Sequence, residues 1–112
     1  MGRAAYERQW LGAARRLVSG ADRAMFLVSY SGPQAAFHFA WPAWRDGDRV
    51  RIQNWLVLTE QLPAPFDPEQ ADLSVRERET VTEDGDPISE WEVRMADVRD
   101  FVKRRSASVF PA

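Results

Sequence analysis

The chain has 112 residues, a formal net charge of −2 at pH 7, and 45% apolar and 29% charged residues. At this length one domain, residues 1–112, is expected, and five Trp, six Phe and two Tyr carry enough buriable surface to exclude global disorder. The absence of cysteine excludes disulfides, a thiolate nucleophile and any Cys-based metal centre.

Residues 3–18 read as an amphipathic helix. Tyr6, Trp10, Ala13, Ala14, Leu17 and Val18 recur at helical spacing. Arg15 and Arg16 lie in the last turns, where cations suit the helix dipole. Gly20 supplies the stop. Residues 25–30 form a short apolar strand, and Ser31-Gly32-Pro33-Gln34 a turn. Residues 35–41 alternate, with Phe37, Phe39 and Trp41 on one face and Ala36, His38 and Ala40 on the other. Pro42 is expected to confine this strand to an edge, a bulge or an end.

Asp46-Gly47 signals a hairpin. Residues 49–58 follow as a strand, with Val50, Ile52, Leu56 and Leu58 opposite Arg49, Arg51, Gln53, Trp55 and Val57. Residues 59–72 contain Pro63, Pro65 and Pro68 and read as a stiff loop. Residues 73–83 read as an unusual strand with charges on both faces, and Asp84-Gly85-Asp86-Pro87 as a turn. In 88–95, Trp91, Val93 and Met95 share one face, with Glu90, Glu92 and Arg94 on the other. Residues 96–105 return to helical spacing, and 106–112 read as a frayed tail. The order is α-β-β-β-β-β-α. It predicts an α+β fold, an antiparallel five-stranded meander with both terminal helices on one face.

Charge is segregated along the chain. Residues 1–59 hold eight Arg against Glu7, Asp22, Asp46 and Asp48, a net +4. Residues 60–92 hold eleven acids against Arg76 and Arg78, a net −9. Residues 93–112 carry +3. An acidic protein is a poor nucleic-acid ligand, whereas a local −9 segment steers a basic protein partner. No apolar run reaches the ~20 residues of a membrane span. The first apolar residues are interleaved with Arg3, Glu7 and Arg8, unlike a signal peptide, so a cytoplasmic protein is expected. Fourteen of the fifteen basic residues are Arg, a usage typical of GC-rich bacterial genomes.

The chemistry-bearing residues are sparse. His38 is the single histidine, so any His-dependent triad would need it. A surface or half-buried strand position is the plainer reading. One histidine without ligand spacing gives no metal site. The carboxylates of 77–92 have polar neighbours on both sides and are expected to be solvated, unlike catalytic carboxylates tuned by burial. Asp46-Gly47-Asp48 and Glu83-Asp84-Gly85-Asp86 lack the ligand run of a calcium loop. The six glycines form no phosphate loop. No catalytic residue, cofactor or metal is assigned.

The tryptophans divide into two sets. Trp10 and Trp91 sit on apolar faces and read as core. Trp41, Trp44 and Trp55 are either packed under other elements or anchor a partner beside Arg.

The reading favoured is a non-enzymatic protein-binding module. Its acidic face, drawn from Glu77, Glu79, Glu83, Asp84, Asp86, Glu90 and Glu92, docks on a basic protein with Trp44 and Trp55 as anchors. An antitoxin-like immunity protein that neutralises a nuclease toxin is the concrete form of this class, by analogy of type and without a diagnostic motif. Two alternatives stand beside it. One is an enzyme or ligand carrier with a pocket lined by Phe37, Phe39, Trp41 and Trp55. The other is a homodimer in which the 73–92 hairpin pairs with its own copy.

Overall fold

The computed structural model describes the backbone of residues 1–109 and the side chains of 1–105. Helix α1 (Arg3–Val18) forms where the sequence spacing places it. It ends through Gly20 at φ +109°. There Gly20 N–H donates to Leu17 O at 3.2 Å and Ala21 N–H to Arg16 O at 2.9 Å. This paired closure satisfies carbonyls that the helix end leaves open, and the left-handed position it needs favours glycine.

The strands are β1 (Arg23–Ser29), β2 (Phe37–Asp46), β3 (Arg49–Gln53), β4 (Trp55–Leu58) and β5 (Glu90–Arg94). All pairs are antiparallel, in the order β1-β2-β3-β5, with β4 also along β2. Helix α2 (Met95–Val109) follows β5 directly. It carries the chain helically through the first part of the expected frayed tail, and residues 110–112 lie outside the described residues. The five-stranded antiparallel sheet with an N-terminal and a C-terminal helix is the predicted α+β architecture.

Pro42 does not end its strand. β2 runs through it to Asp46, with Pro42 opposite Met25 of β1. Arg45 N–H donates to Asp22 O, so the odd-numbered residues of β2 bond toward β1 and the even ones toward β3 and β4. The missing N–H of Pro42 therefore faces Gln53. Ala43 pairs with Ile52 and Ala40 with Trp55, one continuous register. β3 and β4 are thus a single strand interrupted at Asn54, where the proline withholds a ladder bond. The predicted 49–58 strand is broken by its neighbour and not by its own residues.

Two apolar layers sandwich the sheet. On one face, Ala13, Ala14 and Leu17 of α1 pack with Ala24, Phe26, Ala43, Val50, Ile52 and Met95, flanked by Trp10, Trp41 and Phe101. On the other, Met25, Leu27, Ala40 and Val57 meet Ala71 and Val75, with Leu62, Phe66, Trp44 and Trp55 around them. The second layer is roofed by the 59–76 segment, which contains two short 3₁₀ turns, Thr59–Gln61 and Pro68–Ser74. The outer edge of β1 is closed by side chains. Gln9 Nε2 donates to Met25 O at 2.6 Å, and its Oε1 accepts from Leu27 N–H at 2.9 Å. Asp72 Oδ1 accepts from Met25 N–H at 2.9 Å. An edge sealed in this way cannot template another strand.

The predicted 73–83 strand does not form. Ser74 ends a 3₁₀ turn, residues 75–79 are irregular, and the segment's only β pairing among the described residues is the isolated Val81–Pro87 bridge. Side chains charged on both faces find no sheet face to bury against. Trp91 also departs from the core reading: it lies on strand β5 at 38% exposure, edge-on to Trp41 at 5.1 Å. Trp91→Ala is therefore expected to lower stability by about 1–2 kcal/mol in urea denaturation, below the ~3–5 kcal/mol of a fully buried tryptophan.

Candidate protein-docking surface

Residues 75–79 cross the sheet face opposite the helices, and their backbone acceptors hold them there. Trp44 Nε1 donates to Arg76 O at 2.8 Å, Arg23 Nη1 to Val75 O at 3.2 Å, and Gln53 Nε2 to Glu79 O at 2.8 Å. The Arg76 guanidinium stacks on the Trp55 ring, 4.4 Å from its centroid, a cation–π contact. Trp44 and Trp55 share this face. Both are half-buried, Trp44 as a clamp on the segment and Trp55 as the floor beneath Arg76.

The acidic residues separate into two groups. Glu90 is tied to Arg78, whose Nε donates to Glu90 Oε2 at 2.7 Å, and it also accepts from Gln53 Nε2 at 2.8 Å. The Arg78 hydrogen bond, with Gln53 adding to it, holds the Glu90 carboxyl below the usual carboxylate range against the opposing effect of burial. Glu92 pairs with Arg51 at 3.2 Å. Both are committed to internal partners. Glu77, Glu79, Glu83, Asp84 and Asp86 are exposed and form no ion pair among the described residues. Chain spacing could not separate these groups, because the partners Arg51 and Gln53 come from β3.

Beside Arg76 lies an open cleft of about 480 Å³, walled by Trp55, Leu58, Leu62, Pro65, Leu73 and Val75. Leu73 stands at 80% exposure. Sequence reasoning missed this cleft; the three prolines of the loop were the available signal, since they stiffen a segment that folds back on the sheet. The aromatic pocket expected from Phe37, Phe39, Trp41 and Trp55 is not assembled. Trp55 lies on the cleft face, while Phe37, Phe39 and Trp41 point to the helix side. There Phe37 and Phe39 are exposed at 50% and 39%. His38, expected at or near the surface, is 1% exposed.

Among the described residues, no group of three or more His, Cys, Asp or Glu is placed to hold a metal ion. No described helix is long and apolar enough to cross a membrane.

The fold is shared with a chain of the solved CdiA-CT/CdiI toxin and immunity complex from Enterobacter cloacae. The TM-score is 0.81 at 27% identity, over 90% of this chain and 69% of that one. In sequence, the chain is 29% identical over 97 residues to the immunity protein CdiI of Enterobacter cloacae subsp. cloacae, covering 86% of this chain and 66% of that protein. It thus spans just under two-thirds of that relative's length. The class these likenesses define is an α+β immunity-protein domain. Residues 1–101 match the CdiI N-terminal domain, and the chain belongs to that family.

Proposed function

We propose that this chain is a non-enzymatic immunity module that neutralises a CdiA-CT-type toxin by binding it in the cytoplasm. The likeness to a chain of a toxin and immunity complex at TM-score 0.81 carries this reading. The docking surface is the cleft face. Arg76 on Trp55 and the protruding Leu73 offer an apolar and cationic anchor, and the exposed Glu77, Glu79, Glu83, Asp84 and Asp86, which form no ion pair among the described residues, follow it along the chain as the acidic part of the surface. Arg and Trp are among the residues in which binding hot spots are enriched, and the acidic residues fit a basic partner. Glu90 and Glu92 support the surface through Arg78 and Arg51. Self-pairing of the 73–92 hairpin finds no support, since its first strand is absent.

The test is association kinetics with the cognate toxin domain. Reversal of Glu77, Glu79, Glu83 and Asp84 to Lys is expected to slow association at least tenfold at low salt, with the gap closing as salt rises. Melting temperature should stay unchanged, because these side chains make no internal ion pair. Association at the original rate would remove the acidic residues from the interface. Failure of the unaltered chain to bind the toxin or block its activity would remove the immunity reading itself.

A further inference from the structure

His38 is the one buried side chain among the described residues whose polar atoms have no hydrogen-bond partner. Its side chain is 1% exposed, and neither Nδ1 nor Nε2 has a partner. The ring is enclosed by Tyr30, with centroids 4.6 Å apart, and Phe66 at 5.0 Å, which are themselves 6.0 Å apart. Val57 lies opposite it on β4. Buried imidazoles are normally hydrogen-bonded, and an unpaired one marks a site of stored cost.

The covering loop has few other ties. Among the described residues, 63–66 make no backbone hydrogen bond. Two of these four positions are proline and have no N–H to give. The loop is tethered upstream by Thr59 N–H on Ala36 O at 3.0 Å and Leu62 N–H on Thr59 O at 3.3 Å, and downstream by Gln70 N–H on Asp67 O at 3.0 Å. Between these tethers, Phe66 on the Tyr30–His38 pair closes the roof.

We propose that His38 is an acid-sensitive latch: protonating its ring breaks the Tyr30–His38–Phe66 stack and releases the 62–67 loop from the sheet. A charged imidazole needs water or a counter-ion, and at 1% exposure the ring is closed to bulk water. Tyr30 and Tyr6 present phenols, and the Tyr6 hydroxyl is engaged by Tyr30 N–H at 2.7 Å. The N-terminal ammonium lies on Tyr30 O at 3.3 Å and would repel a second cation. The Asp67 carboxylate accepts from Glu69 N–H at 2.9 Å, Glu60 is exposed, and Ala71 and Val57 carry no charge. No ion pair reaches the ring. Burial lowers the affinity of His38 for a proton.

The sign follows from linkage. The folded state binds fewer protons at His38 than the opened or unfolded one. The latch is therefore intact above the ordinary histidine value of about 6.5 and weakens as pH falls below it, by up to tenfold in opening equilibrium per pH unit. The loop also walls the cleft through Leu62, Pro63 and Pro65, so opening would remove one wall of the cleft beside the anchor. That consequence rests on the immunity reading above, whereas the latch does not.

Amide hydrogen exchange of the whole chain at pH 7.5 and 5.0, corrected for the intrinsic rates, decides it. The Leu62 amide, which donates to Thr59 O at 3.3 Å in the closed loop, should exchange at least fivefold faster at pH 5.0 while β1 and β2 stay protected. His38→Leu, or His38→Phe should the first fail to fold, should abolish the acceleration. Because the chain has one histidine, its ring proton resonance reports the titration directly and should move with a midpoint below 6.5. Equal protection at both pH values, the same acceleration in the variant, or a midpoint at or above 6.5 would overturn the latch. Toxin binding measured at pH 7.5 separates the readings: its absence there counts against the immunity function and leaves the exchange result to judge His38.

Discussion

Asp72→Ala is expected to destabilise the fold by about 2–4 kcal/mol, read as a lower urea midpoint at constant slope. Asp72 ties three elements together. Its Oδ1 accepts from Met25 N–H on the outer edge of β1, and its carboxylate takes Arg16 of α1 through Nε and Nη2. Met25 is fully buried, so removing the acceptor leaves an amide that water cannot reach, at about 1–3 kcal/mol. Loss of the anchor for the 59–76 roof adds to this. The Arg16 pair contributes less, because Arg16 is 45% exposed and such pairs contribute about 0–1 kcal/mol. Asp72→Asn isolates the two effects. It keeps an oxygen for Met25 N–H and removes only the ion pair, so a loss below about 1 kcal/mol is expected. Equal losses for Ala and Asn would mean that the ion pair, and not the amide acceptor, is what matters.

Trp10→Ala should have the larger effect, about 3–5 kcal/mol. Trp10 is where α1 meets both the β1 edge and the aromatic layer. Its Nε1 donates to Leu27 O at 2.7 Å, and its ring lies edge-on to Phe26 at 5.3 Å and tilted against Trp41 at 5.2 Å. Truncation opens a cavity between the helix and the sheet and orphans the carbonyl of a fully buried residue. Trp10→Phe keeps most of the packing and removes only the N–H donor, so it should cost about 1–2 kcal/mol. Thermal or urea unfolding of both variants checks the ratio. If Phe were as damaging as Ala, the hydrogen bond would outweigh the packing.

Local chemistry made much of the architecture legible. Gly20 sits at the left-handed stop its position implied, and Gly47, at φ +62°, opens the two-residue link between Asp46 and Arg49 as such hairpins require. Strand parity placed Phe37, Phe39 and Trp41 on one face and His38 and Ala40 on the other, because the side-chain period of a strand is two wherever the strand lies. The 73–83 reading failed because strand propensity acts only through a neighbour. Residues 75–79 instead hang from Trp44, Arg23 and Gln53.

The acidic segment was legible as charge and illegible as pairing. Counting acids over 60–92 found a net charge of −9. It could not find that Glu90 and Glu92 are committed to Arg78, Gln53 and Arg51, while Glu77, Glu79, Glu83, Asp84 and Asp86 form no ion pair among the described residues. Those partners are decided by which strands lie side by side.

The amino-acid sequence by itself determined the elements that depend on near neighbours along the chain: two amphipathic helices, the alternation of the strands, the turns and the segregation of charge. Only the tertiary structure decided the rest. It placed the proline-rich loop over the second sheet face, sealed His38 beneath Phe66, and let β2 pass through Pro42 by spending the missing hydrogen bond at the Asn54 break. The physical reason is range. Helix periodicity and turn chemistry act over a few residues, whereas burial and hydrogen-bond satisfaction are set by groups far apart in the chain that meet only when the sheet is assembled.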